Sequence, residues 1–484
     1  MKKQAFIIIG VLLVIAAFLR LYQIGPFMTF LGDQGRDAII IKRIVTFEHF
    51  PAIGAPSSVG QIYLGPFYYY LVAPFLFLFN FNPVGLGVGV AILTLIAMIY
   101  VAYEMQKEFG IFFTTIFIAL LTFSFSLIDL SRFSWNPNLL PYFSFISLFF
   151  FYKWITKKRE IYAILTGSFL ACSFQLHYLA LLIFIPIGIF YVYVFIAEKK
   201  KWLFIKQSVL ATGAFIFFSI PLILFDIKNN FLNVKSFYRL LTNENMSSDS
   251  SYIVKLQEAI RGFIVLTLRL EATTIIAISI MVLFIIGSLV IAKKLKNIFI
   301  TLNIVTIIIY LFGFALLSTP SYIHYFGSIY VCFYFLLSFF VLLIPQRKIQ
   351  YAMSIILVGI FIYSQVSYYY FFTQEPNNQI QHAKHIANTF GTHIQKQPIQ
   401  IVALPFTETD GHYRYFLELN GYHILPLESP EQAEELFVMC FDKTNCHPLD
   451  DPHWQIAAFY DKMLAESWQS ENITIYKIVH KSHE

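Results

Sequence analysis

Long apolar runs broken by short basic patches fill the first three quarters of the chain. Phe6–Leu21 opens the series, and runs of about 20 residues, the length a helix needs to cross a ~30 Å hydrocarbon core, recur as far as Tyr370. The alternation of a membrane barrel is absent. Backbone groups in lipid must be satisfied within their own segment, so each run is predicted to be a helix, about 11–13 in all. From Gln374 the pattern changes. Short apolar runs at 399–404, 422–427, 436–441 and 473–478 read as strands. They alternate with helix-like stretches at 380–394, 413–419 and 454–468, the pattern of a small α/β domain. The predicted organisation is therefore an α-helical polytopic membrane domain over 1–373 followed by a small α/β domain over 374–484.

Basic residues sort the helix ends into two sets, because lysine and arginine collect on the cytoplasmic side. The clusters are Lys2-Lys3, Lys153 with Lys157-Lys158-Arg159, Lys199-Lys200-Lys201 with Lys206, Lys293-Lys294 with Lys296, and Arg347-Lys348. They predict a multi-pass plasma-membrane protein with a cytoplasmic N-terminus and an extracytoplasmic C-terminal domain. No small-x-small site precedes Gly25-Pro26, so the first run is read as a retained helix, not a cleaved signal. The helix count does not close between Phe67 and Ile128, where one segment is expected to be interfacial or re-entrant, or two short helices to have been merged.

Composition supports lipid as the solvent. Apolar residues make up 58% of the chain and charged residues 13%, against about 25% charged in soluble proteins; the mean hydropathy is +0.66. The formal charge of +6 is modest and lies in loops, which reads as topology and not as a nucleic-acid surface. Cys172 and Cys332 are expected to be buried thiols, whereas Cys440 and Cys446 are either a pair or two free thiols. No metal-binding spacing is present.

On this scaffold Asp33 is the residue that asks for an explanation, because ionisable groups beside a membrane are by default functional. It sits in Gly32-Asp33-Gln34-Gly35-Arg36-Asp37, within a first extracytoplasmic loop of about 25–66 that ends in Gly65-Pro66-Phe67-Tyr68-Tyr69-Tyr70. Spacing alone leaves two readings open: a working carboxylate, or a salt bridge between Asp33 and Arg36 that holds the loop. Asp37 is placed either to pair with Arg36 or to tune Asp33. The charge topology puts three further features on the same membrane face: residues 131–138, His177-Tyr178, and residues 321–325. Arg132, His177, His324 and Tyr325 stand at these helix ends and suggest one site at that membrane surface. For Arg132 the bland alternative is snorkelling to the headgroups, for His177 an ordinary interfacial histidine, and for Trp135 to Asn138 a helix start. A second, long loop of about 226–261 carries Lys228, Lys235, Arg239, Lys255 and Arg261. It is either simply solvated or a basic surface for an anionic lipid phosphate.

These residues carry a resemblance. A first helix ending in Arg20-Leu21, an Asp with Arg three residues on, a Pro-Gly loop and a Pro-aromatic-Tyr-Tyr helix start resemble the GT-C glycosyltransferases of family 39. That family includes the dolichyl-phosphate-mannose–protein mannosyltransferases and the lipid A aminoarabinose transferases. The resemblance implies a GT-C fold and a membrane glycosyltransferase that moves a sugar from a polyprenyl-phosphate donor to an acceptor hydroxyl, with inversion. It implies Asp33 as general base, Arg36 in the family's basic position, and a substrate and lipid-phosphate site drawn from Arg36, Asp37, Arg132, His177, His324 and Tyr325. No cofactor is implied beyond the lipid-linked donor, which is a substrate, and no metal is expected to be required. The partners implied are the bilayer, the donor and an acceptor that is a protein, lipid or polysaccharide; nucleic acid is not among them. The sequence departs from the family at Gln34, where a Glu is usual, and at Leu64-Gly65-Pro66, where Lys-Pro-Pro is frequent. A transporter or flippase of lipid-linked glycans is the alternative, but no half-to-half repeat is visible.

Overall fold

The computed structural model describes residues 2–57, 62–242, 251–317, 320–426, 429, 431–442 and 446–481; the side chains of 2–5 and 240–242 are not described. The chain divides into two compact units. One comprises Met1–Tyr22, Pro51–Val72 and Val88–Gln374, the other Gln23–Phe50, Ala73–Gly87 and Glu375–Glu484.

Helices α1 (Lys2–Leu21), α2 (Ile24–Phe27), α3 (Gly32–Val45), α4 (Phe67–Leu78) and α5 (Val84–Phe109) come first. They are followed by α6 (Ile111–Phe123), α7 (Phe125–Leu130), α8 (Leu140–Lys157), α9 (Glu160–Leu176) and α10 (Leu181–Ala197). Next are α11 (Lys201–Lys228), α12 (Leu232–Thr242), α13 (Tyr252–Leu268), α14 (Thr274–Leu295), α15 (Ile298–Phe314), α16 (Gly327–Leu337) and α17 (Arg347–Val366). Among the described residues, 7 helical segments are long and apolar enough to cross a membrane, and five shorter apolar helices accompany them. The protein is a multi-span membrane protein. Phenylalanines fill the interior of the larger unit: Phe113 stacks on Phe339 at 3.9 Å, and Phe145, Phe299 and Phe335 pack around them. Some buried charges are paired. Lys153, in a predicted basic cluster, is only 5% exposed and is held by Glu108 and, at 3.8 Å, by Glu104.

That ion pair ties the ends of α5 and α8 together. Glu108 ends α5 and Lys153 lies near the end of α8, so both helices finish on the side of the basic clusters. At 26 residues, α5 is about 39 Å long and crosses fully. Helix α4 has 12 residues with Pro74 inside it, about 18 Å, too short to cross ~30 Å of hydrocarbon.

The smaller unit gathers α2, α3 and the α4–α5 turn with the C-terminal elements: α18 (Gln379–Gly391), β1 (Ile399–Leu404), α19 (Gly411–Leu419), β2 (Glu435–Cys440), α20 (Trp454–Ala458), β3 (Lys462–Ser470) and β4 (Ile473–His480). The sheet order is β1-β2-β4-β3. Strands β1 and β2 are parallel, and β4 runs antiparallel to both β2 and β3. Two expectations are corrected here. The 422–427 run is not a strand; Ile424 makes a single bridge to Ile399, and residue 427 lies outside the described residues. The 454–468 stretch is not one helix. Helix α20 stops at Ala458, Asp461 turns with a positive φ of 45°, and β3 pairs along β4 as a hairpin. Pairing along β4 overrides the helix-like spacing of the side chains. Cys440 and Cys446 form a disulfide, with Cα atoms 5.9 Å apart, while Cys172 and Cys332 are buried free thiols.

Candidate active site

In the smaller unit, Gly32-Asp33-Gln34-Gly35-Arg36-Asp37 forms the opening of α3. Leu31 precedes the helix and has no capping side chain. The Gln34 Oε1 therefore accepts the Leu31 N–H at 3.1 Å, the reach-back half of a capping box. Glutamine serves this role as well as glutamate, which accounts for Gln34 where an acid is expected. Asp33 lies in the first turn, where the helix dipole favours a carboxylate. Arg36 bridges two acids: its Nη1 donates to Asp33 Oδ1 at 2.8 Å, and its Nε and Nη2 donate to Asp37 Oδ1 at 3.0 and 2.8 Å. The Asp33 side chain is 52% exposed and that of Asp37 is fully buried. The triad thus carries one net negative charge, and the buried carboxylate orients the guanidinium that orients the exposed one.

Close backbone contact fixes α3 in place. A Cβ on Gly35 would sit 2.3 Å from the Gly411 carbonyl carbon and the His412 nitrogen, and one on Gly411 would sit 2.6 Å from the Gly32 oxygen. Only glycine allows α3 and α19 to meet this closely. At the far end of α3, Arg43 pairs with Glu418 at 2.9 Å. Ahead of it, the Phe30 N–H donates to Gln379 Oε1 at 2.8 Å. His412 is buried against this contact, and burial together with nearby His382 lowers its pKa to about 4.

In the larger unit four separated segments meet. His177 ends α9, where the chain turns to extended geometry. Its Nδ1 accepts the Leu179 N–H at 3.2 Å, so a neutral ring carries its proton on Nε2. His324 opens the turn before α16, with its ring centroid 5.8 Å from that of His177. Tyr325 lies 5.7 Å from His177 and 4.2 Å from His324. Trp135 stands edge-on to His324 at 4.6 Å. The end of the first loop joins them: Gly65 packs directly on the Gln175 side chain, and the Tyr68 and Ser134 hydroxyls are bonded at 2.7 Å. The Tyr310 and Tyr330 hydroxyls donate to the Tyr325 and Ile323 carbonyls and hold the turn. His177, His324 and Tyr325 are thus brought into one aromatic cluster that offers ring faces and neutral N–H and O–H groups.

Arg132 is not among them. Its Nη1 donates to the Leu19 and Arg20 carbonyls at 2.8 and 3.3 Å, its Nη2 to the Tyr22 carbonyl at 2.8 Å, and its guanidinium lies over Phe371 at 4.0 Å. The side chain is committed to the carbonyls that α1 leaves unpaired at its end.

No family model matches the chain, and no curated protein matches it. Among solved structures it is similar to ArnT from Cupriavidus metallidurans bound to undecaprenyl phosphate, with TM-score 0.60, 10% identity and coverage of 99% of this chain and 98% of that one. The apo state of the same protein gives 0.62, 10% and 98% of each. An Archaeoglobus fulgidus oligosaccharyltransferase tethered to an acceptor peptide gives 0.52 and 10%, over 90% of this chain and 65% of that one. The chain has the GT-C fold.

Within the GT-C scaffold two arginines escaped the sequence reading of the site. Arg20 is fully buried and donates to the Ala16 and Leu121 carbonyls at 3.2 and 3.1 Å. Arg269 caps α13 with a positive φ of 54°. It donates to Ser126 at 3.1 Å and lies over the rings of Phe125 and Tyr368 at 4.5 and 5.0 Å. A lone cation at the edge of an apolar run was the available signal, but it is shared with every snorkelling residue.

Proposed function

We propose that this protein is a membrane glycosyltransferase that moves a sugar from a polyprenyl-phosphate donor to an acceptor hydroxyl at the extracytoplasmic face. The observation that carries the reading is the GT-C fold over nearly the whole chain, shared with an ArnT that binds undecaprenyl phosphate. A lipid-linked donor stays in the bilayer that this protein's helices also occupy.

Asp33 acts as the general base. Its half-exposed carboxylate takes the acceptor hydroxyl proton as the oxygen attacks the anomeric carbon and the bond to the phosphate oxygen breaks. A single displacement inverts the anomeric centre. Arg36 stabilises the ionised carboxylate through a charge-assisted bond, and Asp37 orients Arg36. The leaving phosphate needs hydrogen-bond donors more than a proton. The Nε2–H of His177, with His324 and Tyr325, supplies neutral donors for it, and the ring faces suit a sugar. No metal enters this scheme, and the acceptor is left unassigned.

The test is transfer by the purified full-length protein in lipid nanodiscs. Asp33→Asn is expected to lower turnover by about 10²–10⁴-fold, the usual weight of a general base, with expression and thermal midpoint unchanged. Near-normal transfer by that variant, or efficient turnover with a nucleotide sugar as sole donor, would refute the reading.

A further inference from the structure

Helix α12 turns Phe237 and its small polar side chains inward and shows a mixed apolar and basic face outward. Its 11 residues span about 16 Å, too short to cross a bilayer. Its polar side chains face the protein: Asn233 and Ser236 are buried. The Asn233 Oδ1 accepts the Tyr63 N–H at 2.9 Å, its Nδ2 donates to the Tyr63 carbonyl at 3.1 Å, and its own N–H donates to Asp226 Oδ1 at 2.6 Å. The outward face is apolar and basic instead. Val234 and Tyr238 are 59% and 68% exposed, and Lys235 and Arg239 stand exposed beside them. The helix sequence contains no acidic residue. Exposed aliphatic and aromatic side chains interleaved with cations, with no acid among them, make the face of an interfacial helix.

The position in the chain agrees with this outward face. Helix α11, 28 residues or about 42 Å long, crosses the bilayer and ends at Lys228 next to α12. The exposed apolar surface of its last turns, Leu224 and Ile227, continues into Phe231 and then Val234. We infer that α12 lies in the membrane interface on the side opposite the basic clusters, with Val234 and Tyr238 inserted at headgroup depth and Lys235 and Arg239 on anionic lipid headgroups. Aromatic and aliphatic side chains with flanking cations are what binds such a surface. Through the double hydrogen bond of Asn233 to Tyr63, the same contact seats the end of the first loop.

The test uses the full-length protein with Tyr238→Cys carrying a nitroxide label, the two free native thiols being buried. It is reconstituted in phosphatidylcholine vesicles with or without phosphatidylglycerol. In the anionic vesicles the label is expected to be relaxed by oxygen in the lipid phase in preference to a water-soluble nickel chelate. Adding Lys235→Glu and Arg239→Glu should move it toward the chelate. The relative association of spin-labelled phosphatidylglycerol over phosphatidylcholine should fall about fivefold for each charge removed, from roughly 1 kcal/mol per basic residue at an anionic surface. A label at position 238 that prefers the aqueous reagent in both membranes would overturn the inference. So would charge reversal that leaves both depth and lipid preference unchanged.

Discussion

At the residue scale, the arginines divide by what surrounds them. Arg36 sits between an exposed and a buried acid, which suits it to position a carboxylate. Arg132 sits on three carbonyls, so its role is to close α1. The two roles separate by experiment. Arg132→Ala is expected to lower stability by about 2–4 kcal/mol, because buried carbonyls lose a charged donor, while the Michaelis constant for a lipid-linked donor stays the same. A raised constant with an unchanged thermal midpoint would instead make Arg132 a phosphate ligand. His412 allows a pH test. In the folded state its pKa is lowered to about 4, against about 6.5 in an unfolded chain. The unfolded chain therefore binds the extra proton between those values, and stability is lost as the pH falls from 6.5 to 4, by at most about 3 kcal/mol. His412→Gln should flatten the thermal midpoint across that window, and an unaltered slope would remove His412 as the cause.

The sequence exposed Asp33 because a carboxylate stands out beside an apolar run. It also marked His177, His324 and Tyr325, because polar residues at helix ends are few. It could not separate Arg132 from them, since carbonyl acceptors at a helix terminus leave no trace in residue identity. Asn233 was likewise invisible: an asparagine in a polar loop has no distinguishing neighbour until Tyr63 comes to meet it.

At the element scale, long apolar helices were legible and short ones were not. Helix α4 looked like one more span but, at 12 residues with Pro74 inside, it is too short to cross alone. Strand β3 is polar and mostly exposed, so its partner β4 had to identify it. The contact of α3 with α19 is the element on which Asp33 depends. Gly35→Ala is expected to cost about 2 kcal/mol or more, since the added methyl overlaps backbone that cannot turn aside. Turnover should fall with it while Asp33 itself is intact. A Gly35→Ala protein with wild-type stability and rate would show that the helices separate freely.

At the scale of the whole molecule, apolar helices and the basic clusters between them set the orientation that the sequence predicts. With the basic clusters facing the cytoplasm, Asn80→Cys in the α4–α5 turn should react with an impermeant thiol reagent added outside intact cells. Labelling confined to permeabilised cells would reverse the orientation. Fold class was the most legible property of this chain, because lipid imposes helices of one length and charge orders their ends. The number of crossings was harder, since apolar character alone does not tell a helix that traverses from one that turns back.

The near-touching backbones at Gly32, Gly35 and Gly411 have a consequence for how this protein can change over time. The acid-bearing helix and the carboxyl-terminal portion must drift together: a bulkier residue on either partner is tolerated only if the other yields. Removing the last hundred residues would then do more than trim an appendage. It would strip away the surface against which the aspartate is aimed, and a shortened protein could keep every membrane crossing while losing the direction in which its carboxylate points.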